Sequence, residues 1–203
     1  MSSGFAAPIT IKDAIDKIVD RTYLLPAIQR KFVWSSDQIE VLFDSIMRGY
    51  PINSFMLWEV KEDEIKNKFK FYQFLTEYRE RFKEDNPDID TKSYKDFHAV
   101  IDGQQRLTSL YIGLKGSYAY KLPRKWWYDN EDNIPTRYLY LNLSNQLPDE
   151  NERKMIYDFQ FLTKDELKKM SNNNTIWYRV NEILTFSDKN QVDKYIDNNG
   201  WLN

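Results

Sequence analysis

Apolar residues recur every three or four positions through much of the chain, the spacing that places them on one face of an α-helix. The pattern predicts helices over residues 10–19, 35–48, 71–82, 104–115, 163–170 and 188–198. Three of them begin with a capping-box pair, which supplies side-chain partners for backbone N–H groups at a helix start. The pairs are Thr10 with Asp13, Ser35 with Gln38, and Thr163 with Glu166.

Shorter apolar or alternating stretches predict strands between these helices. Pro26 excludes a helix over residues 23–28, so this segment is expected to be extended. A strand buried on both faces is predicted for the apolar run 54–60. Trp34 and Trp58 are both expected to be core residues. Further strands are predicted over residues 97–101, 136–143 and 156–162. The mixed order of helices and strands indicates an α+β fold.

Composition excludes several classes of site. The 203 residues carry a formal net charge of -2, so contact with nucleic acid would need a local basic patch. Cysteine is absent, which excludes disulfides, thiolate metal sites and cysteine nucleophiles. His98 is the single histidine, so this chain cannot supply an HNH nuclease centre. No apolar run is long enough to span a bilayer, and we expect a cytoplasmic protein without a membrane partner.

The segment from Asp102 to Arg106 carries the strongest candidate chemistry, because a predicted strand turns there directly into a helix. Backbone N–H groups at a helix start favour an anion, and Gly103 would let a phosphate approach the backbone closely. Asp102 could hold a Mg²⁺ ion or orient a water molecule, and Arg106 could bind phosphate. The amides of Gln104 and Gln105 could bind a sugar, a base edge or an attacking water. Alternatively, the segment is only a tight turn with polar residues facing solvent.

Three motifs occur in order along the first 116 residues. The first is AIQRKFVW at residues 27–34, and the third is IDGQQRLT at residues 101–108. The second runs from residue 38 to residue 52, beginning with Gln38-Ile39 and ending with DSIMRGYPI at residues 44–52. Together they resemble the motifs of the GmrSD-type, ParB/sulfiredoxin-like family. Two positions depart from the usual pattern of that family: Ile28 stands where tyrosine is common and Asn53 where glycine is common.

The resemblance implies a ParB-like domain with a small mixed sheet packed by helices, which binds and in several members hydrolyses nucleoside triphosphates. By motif match, Asp102, Gln104, Gln105 and Arg106 would be catalytic, with Asp102 holding Mg²⁺. Gly103 and Arg106, together with Gln29 and Arg30, would bind the nucleotide. Residues 1–116 would form the ParB-like core, with an insertion over 61–95, and residues 117–203 would extend the same domain.

The resemblance also implies a phage-defence restriction system directed at modified DNA, with an HNH-type nuclease in another domain or subunit. Lys31, Arg124, Lys125 and Trp126 combine charge with an aromatic ring and are candidate nucleic-acid contacts, although a surface loop would show the same pattern. A rival interpretation is a module without catalysis, in which the same pocket grips a DNA phosphate, a modified base or a protein partner.

Overall fold

A computed structural model describes residues 6–28, 30–172 and 175–199. Within these residues the helices are α1 (Ile11–Val19), α2 (Ser36–Met47), α3 (Asp63–Lys68), α4 (Gln104–Lys115), α5 (Lys164–Met170) and α6 (Lys189–Asn198), with a 3-10 helix at Val180–Thr185. The strands are β1 (Tyr23–Pro26), β2 (Met56–Val60), β3 (Phe71–Tyr72), β4 (Glu77–Arg79), β5 (Asp88–Ile89), β6 (Phe97–Asp102), β7 (Ser117–Ala119), β8 (Thr136–Gln146), β9 (Tyr157–Leu162) and β10 (Trp177–Arg179).

The strands form two mixed sheets. In the first sheet the order is β2-β6-β1-β3-β5, and β1 runs parallel to β6 while the other pairs are antiparallel. The second sheet has the order β10-β8-β7-β4, with β9 also paired to β8 and with β4 parallel to β7. The predicted α+β class is therefore confirmed, with two mixed sheets and packed helices.

The three predicted capping boxes are present. The side chains of Thr10, Ser35 and Thr163 each accept a hydrogen bond from the backbone three residues on, at the starts of α1, α2 and α5. These starts could be predicted because a capping box depends on residues that are close in sequence. No helix among the described residues is long and apolar enough to cross a bilayer.

The helix predicted over residues 71–82 is wrong, because the chain is extended there and forms β3 and β4. Phe71 pairs with Pro26 of β1 and is buried in a small cluster with Phe97. Phe74 and Leu75 are buried in the larger cluster that includes α1, α2 and α4. The apolar positions of this segment thus contribute to two separate clusters, which one face of a helix could not reach.

Burial of the predicted strand 54–60 on both faces is also wrong. The strand forms as β2, but it lies at an edge of the first sheet and pairs only with β6 among the described strands. Met56 is 61% exposed and Trp58 is 37% exposed, so Trp58 is not a core residue. Only Val60 of this strand is buried.

One hydrophobic core joins the two parts of the sequence. Its buried members include Ile15, Phe43 and Leu107 from the first 116 residues and Leu139 and Phe159 from the remainder. A β-carbon added at Gly113 of α4 would lie 3.1 Å from Cδ2 of Leu139 in β8, so the helix packs directly on the second sheet. This packing fixes α4, whose first residues form the candidate site.

Candidate functional site

The turn between β6 and α4 requires glycine. Gly103 has a φ of 87°, in the left-handed region that disfavours residues with a β-carbon. A β-carbon at this position would also overlap the ring of Phe55 and lie 3.2 Å from a guanidinium nitrogen of Arg106. The backbone at Gly103 is therefore held between an aromatic ring and an arginine, with no space for a side chain.

The first turn of α4 leaves backbone donors without partners in the helix. No side chain caps this start, whereas α1, α2, α5 and α6 are capped by Thr10, Ser35, Thr163 and Asp188. The first bond within the helix runs from the N–H of Leu107 to the carbonyl of Gly103 (3.0 Å). The N–H groups of residues 104–106 remain available at the positive end of the helix dipole, which favours an anion.

Arg106 fixes the loop before β2. Its guanidinium donates to the carbonyl oxygens of Ile52 and Ser54, the latter at 3.2 Å, and it lies 5.0 Å from the centre of the Phe55 ring. Between the two carbonyls, Asn53 has a φ of 63°. Asparagine tolerates this left-handed conformation better than most residues, so replacing the usual glycine preserves the turn.

Gln105 fixes a second loop in the same way. Its side-chain oxygen accepts from the N–H of Val33 (3.0 Å), and its side-chain nitrogen donates to the carbonyl of Lys31 (3.0 Å). The hydroxyl of Tyr118 donates to the carbonyl of Trp34 (3.0 Å), which holds the end of this loop. Gln104 is buried, and its side chain donates to the carbonyl of Val100 in β6.

The loop that holds Arg30 and Trp34, together with the end of β6 and the start of α4, borders a cavity of about 230 Å³. Its lining residues are Arg30, Trp34, Ile101, Asp102, Gly103, Gln104, Gln105 and Arg106. The structure thus brings together six of the seven residues predicted to be catalytic or nucleotide-binding. The seventh, Gln29, lies outside the described residues. Sequence analysis did not place Trp34 here, although it belongs to the motif that contains Arg30.

Opposite charges meet in the cavity. The side chain of Asp102 is 72% exposed, and its carboxylate lies 3.6 Å from the guanidinium of Arg106. Arg30 is exposed and also lines the cavity, and no carboxylate of the described residues pairs with it. Two guanidinium groups and three amide N–H groups suit phosphate oxygens, whereas a bare Asp102 carboxylate would repel them.

Among the lining residues, Asp102 could hold a divalent cation beside bound phosphate oxygens. Mg²⁺ commonly binds one or two protein carboxylates and completes its shell with phosphate oxygens and water. Among the described residues, Asp102 is the one carboxylate that lines the cavity. The described residues contain no group of three or more His, Cys, Asp or Glu side chains that could hold a metal ion alone. A cation here would therefore depend on phosphate oxygens for much of its coordination.

The candidate nucleic-acid residues fall into two places: Lys31 follows Arg30 beside the cavity, and the other three lie between β7 and β8. Lys31 is exposed and pairs with Asp85 (2.6 Å). Arg124, Lys125 and Trp126 are exposed on the segment that joins β7 to β8. None of these four residues lines the cavity.

Comparison with known proteins identifies the family of the chain. The GmrSD restriction endonuclease N-terminal domain matches residues 11–200. The uncharacterized protein MJ0686 of Methanocaldococcus jannaschii is 33% identical over 102 residues, which cover 50% of this chain and 16% of the archaeal protein. Because the domain match spans both parts of the sequence and nearly the whole chain, this protein belongs to the family of GmrSD restriction endonuclease N-terminal domains.

Proposed function

We propose that this chain is a ParB-like sensor or regulatory domain that binds a nucleoside triphosphate with Mg²⁺ and hydrolyses it. One observation carries the proposal: Arg30, Asp102, Arg106 and the uncapped start of α4 line a single cavity. The DGQQR segment from Asp102 to Arg106 supplies most of that lining. The family supports a role in a restriction system.

Each residue has a distinct task in this proposal. Arg30, Arg106 and the amides of residues 104–106 would neutralise phosphate charge, which is most of what phosphoryl transfer requires of a protein. Asp102 would orient the attacking water or hold the cation, and bound Mg²⁺ would neutralise the charge that develops on phosphate. Gln105 would act as a positioning residue, because both ends of its amide are bonded to the backbone of the 31–33 loop.

The nuclease activity would lie outside this chain. The single histidine excludes an HNH centre built from these residues alone. Nucleotide binding would therefore regulate an HNH-type nuclease in another domain or subunit. Modified phage DNA is the proposed target of the complete system, in keeping with the restriction endonuclease family.

Phosphate release from each of the four nucleoside triphosphates with Mg²⁺, with and without phage DNA, tests this proposal. We expect turnover by the unmodified chain and a loss of about 100-fold or more in Asp102→Asn, the usual scale for a residue that moves or orients a proton. Asp149→Asn is the matched control, because Asp149 is exposed on a loop and does not line the cavity. Its turnover should be unchanged.

Equal turnover in Asp102→Asn and Asp149→Asn would refute a catalytic role for Asp102. Folding must be checked alongside, by thermal unfolding of each variant. An Asp102→Asn chain that binds nucleotide but does not turn it over would support the proposal. Loss of folding in this variant would instead favour a structural turn.

A module without catalysis is the second candidate, and one observation favours it. The side chains of Gln104, Gln105 and Arg106 all donate to backbone carbonyls, so much of their hydrogen-bonding capacity already serves the fold. In that case the cavity would grip a backbone phosphate or a modified base of DNA, or a protein partner. DNA binding that weakens with salt, without any phosphate release from nucleotides, would establish this alternative over the first.

A further inference from the structure

A second surface, separate from the cavity, presents large aromatic side chains to solvent. It lies on residues 122–134, here named the Trp126 loop, which joins β7 to β8. Trp126 is 77% exposed and Tyr128 is 62% exposed. Trp127, which lies between them in sequence, is 38% exposed. Aromatic rings are costly to leave in water, so consecutive exposed rings mark an interaction surface.

The Trp126 loop is anchored at its base. The N–H of Leu122 donates to the carbonyl of Asn133 (2.8 Å), and Ile134 is fully buried. The tip is also turned on itself by a hydrogen bond from the N–H of Tyr128 to the carbonyl of Trp126 (3.0 Å). A loop anchored in this way loses less conformational entropy on binding than a free segment would.

Charges of the two signs are separated along this part of the chain: the cations Lys121, Arg124 and Lys125 precede the exposed rings, and the carboxylates Asp129, Glu131 and Asp132 follow them. Asp129 and Glu131 both pair with Arg79, Glu131 at 3.0 Å. Lys121, Arg124 and Lys125, by contrast, have no ion-pair partner among the described residues. The basic character is therefore confined to the segment that precedes the rings, and the exposed carboxylate of Asp132, which has no ion-pair partner among the described residues, lies beyond them.

Two cations also flank an aromatic ring at the same surface. The guanidinium of Arg81 lies 5.0 Å from the ring centre of Trp127, and the ammonium of Lys121 lies 5.3 Å from it. Alternation of cations and rings is the arrangement that binds a single strand, since the rings stack on bases while the cations follow the phosphates.

We infer that the Trp126 loop binds unpaired bases of single-stranded DNA, with Trp126 and Tyr128 as stacking platforms. Duplex DNA does not fit this role, because its base faces are already stacked inside the helix. DNA is the expected source of the strand because the family is one of restriction endonucleases. This inference goes beyond the nucleotide cavity and does not depend on nucleotide turnover.

Fluorescence anisotropy of a labelled 20-nucleotide single strand of mixed sequence, at fixed salt, tests the inference with the full chain. Loss of one stacked base by Trp126→Ala should raise Kd roughly 5- to 100-fold, and Trp126→Phe should restore most of the affinity because a ring remains. Phe69→Ala is the matched control. Phe69 is 49% exposed beside the first sheet, and its removal should leave Kd unchanged.

Two further arms distinguish the source of the ligand. The unlabelled duplex of the same sequence should compete poorly, whereas the single strand should compete fully. Equal competition by duplex, or an unchanged Kd in Trp126→Ala, would overturn the inference. Tighter binding of an RNA strand than of the DNA strand would overturn the assignment to DNA. Thermal unfolding of Trp126→Ala and Trp126→Phe should match the unmodified chain, since the side chain is exposed.

Discussion

At the scale of single residues, Gly103 shows how one position can meet two requirements. It has a positive φ, and the ring of Phe55 occupies the space where a side chain would lie. Gly49 also has a positive φ, of 74°, but nothing lies within 4 Å of the place for its β-carbon. Comparing substitutions at the two glycines therefore separates the free-energy cost of the backbone conformation from the cost of the contact with Phe55.

We expect Gly49→Ala to lower the free energy of unfolding by about 1–2 kcal/mol, the cost of placing a β-carbon in the left-handed region. Gly103→Ala should cost about 1–3 kcal/mol more, because the ring of Phe55 must also move. Urea unfolding of both variants measures the difference. Adding Phe55→Ala should recover part of the extra loss in Gly103→Ala, and equal losses at the two glycines would show that the contact is unimportant.

At the scale of elements, buried carboxylates on α2 hold the strand β9. Asp44 accepts hydrogen bonds from the N–H groups of Ile156 and Tyr157, both at 2.9 Å, and Glu40 accepts from the N–H of Phe161 at 2.8 Å. Both carboxylates lie among the buried polar residues. Carboxylates of α2 thus accept hydrogen bonds from backbone N–H groups in and next to β9 that no neighbouring strand satisfies.

Replacing Asp44 tests this attachment. Asp44→Ala leaves two backbone N–H groups without an acceptor, so we expect a loss of about 1–3 kcal/mol in the free energy of unfolding. Asp37 lies on the same helix but is exposed, and Asp37→Ala should cost less than about 1 kcal/mol. Chemical denaturation of the two variants compares them directly; similar losses would mean that Asp44 contributes only as a surface charge does.

The pair of strands β4 and β7 predicts a dependence on alkaline pH. Tyr78 and Tyr118 are register partners, and their ring centres lie 4.5 Å apart. Burial, followed by the nearby negative charge of Glu84, raises the pKa of the Tyr78 hydroxyl from 10.0 to about 12. The folded chain therefore holds this proton more tightly than the unfolded chain does. The resulting stabilisation is complete below pH 10 and is lost as pH rises through about 12.

Tyr78→Phe removes this titration. We expect the stability of the unmodified chain to fall relative to Tyr78→Phe as pH rises from 10 to 12, and Tm measured across that range reports the difference. Tyr128→Phe serves as the control, because Tyr128 is largely exposed. Parallel Tm curves for Tyr78→Phe and the unmodified chain would contradict the assigned pKa.

At the scale of the whole molecule, the shared core makes the two sheets depend on each other. Leu107 of α4 and Leu139 of β8 belong to the same buried cluster. We expect a single unfolding transition, in which tryptophan fluorescence and far-ultraviolet circular dichroism change together. Leu107→Ala and Leu139→Ala should each cost about 2–5 kcal/mol and shift both signals equally. Separate transitions would show that residues 117–199 unfold independently.

What the sequence could predict was set by how local each interaction is. The capping boxes of α1, α2 and α5, and the turn at Asp102-Gly103, involve neighbours in sequence and were predicted in place. The helix predicted over residues 71–82 was wrong because the apolar residues of this segment pack in two clusters formed by distant parts of the chain.

The candidate site follows the same rule. Arg30 and the segment from Asp102 to Arg106 could be named from motifs, and the structure places them around one cavity. The bonds of Gln105 and Arg106 to loop carbonyls could not be predicted, because each joins residues more than 50 positions apart. Trp34 was assigned to the core because it flanks an apolar run, and it does pack against the core. Its place in the cavity lining could not be predicted, because the other lining residues beside it come from a remote segment.

Gln105 and Arg106 hold the two loops beside the cavity through hydrogen bonds to main-chain atoms of Lys31, Val33, Ile52 and Ser54. Main-chain atoms are the same for nearly every amino acid, so side chains at these four positions can be exchanged without loss of the bonds that shape the loops. The sequence of these loops can therefore vary beside the cavity while the bonds that hold their backbone stay constant. The exposed positions Lys31, Val33 and Ser54 are suited to randomised libraries that retain the loop conformations, whereas Ile52 also packs against the core.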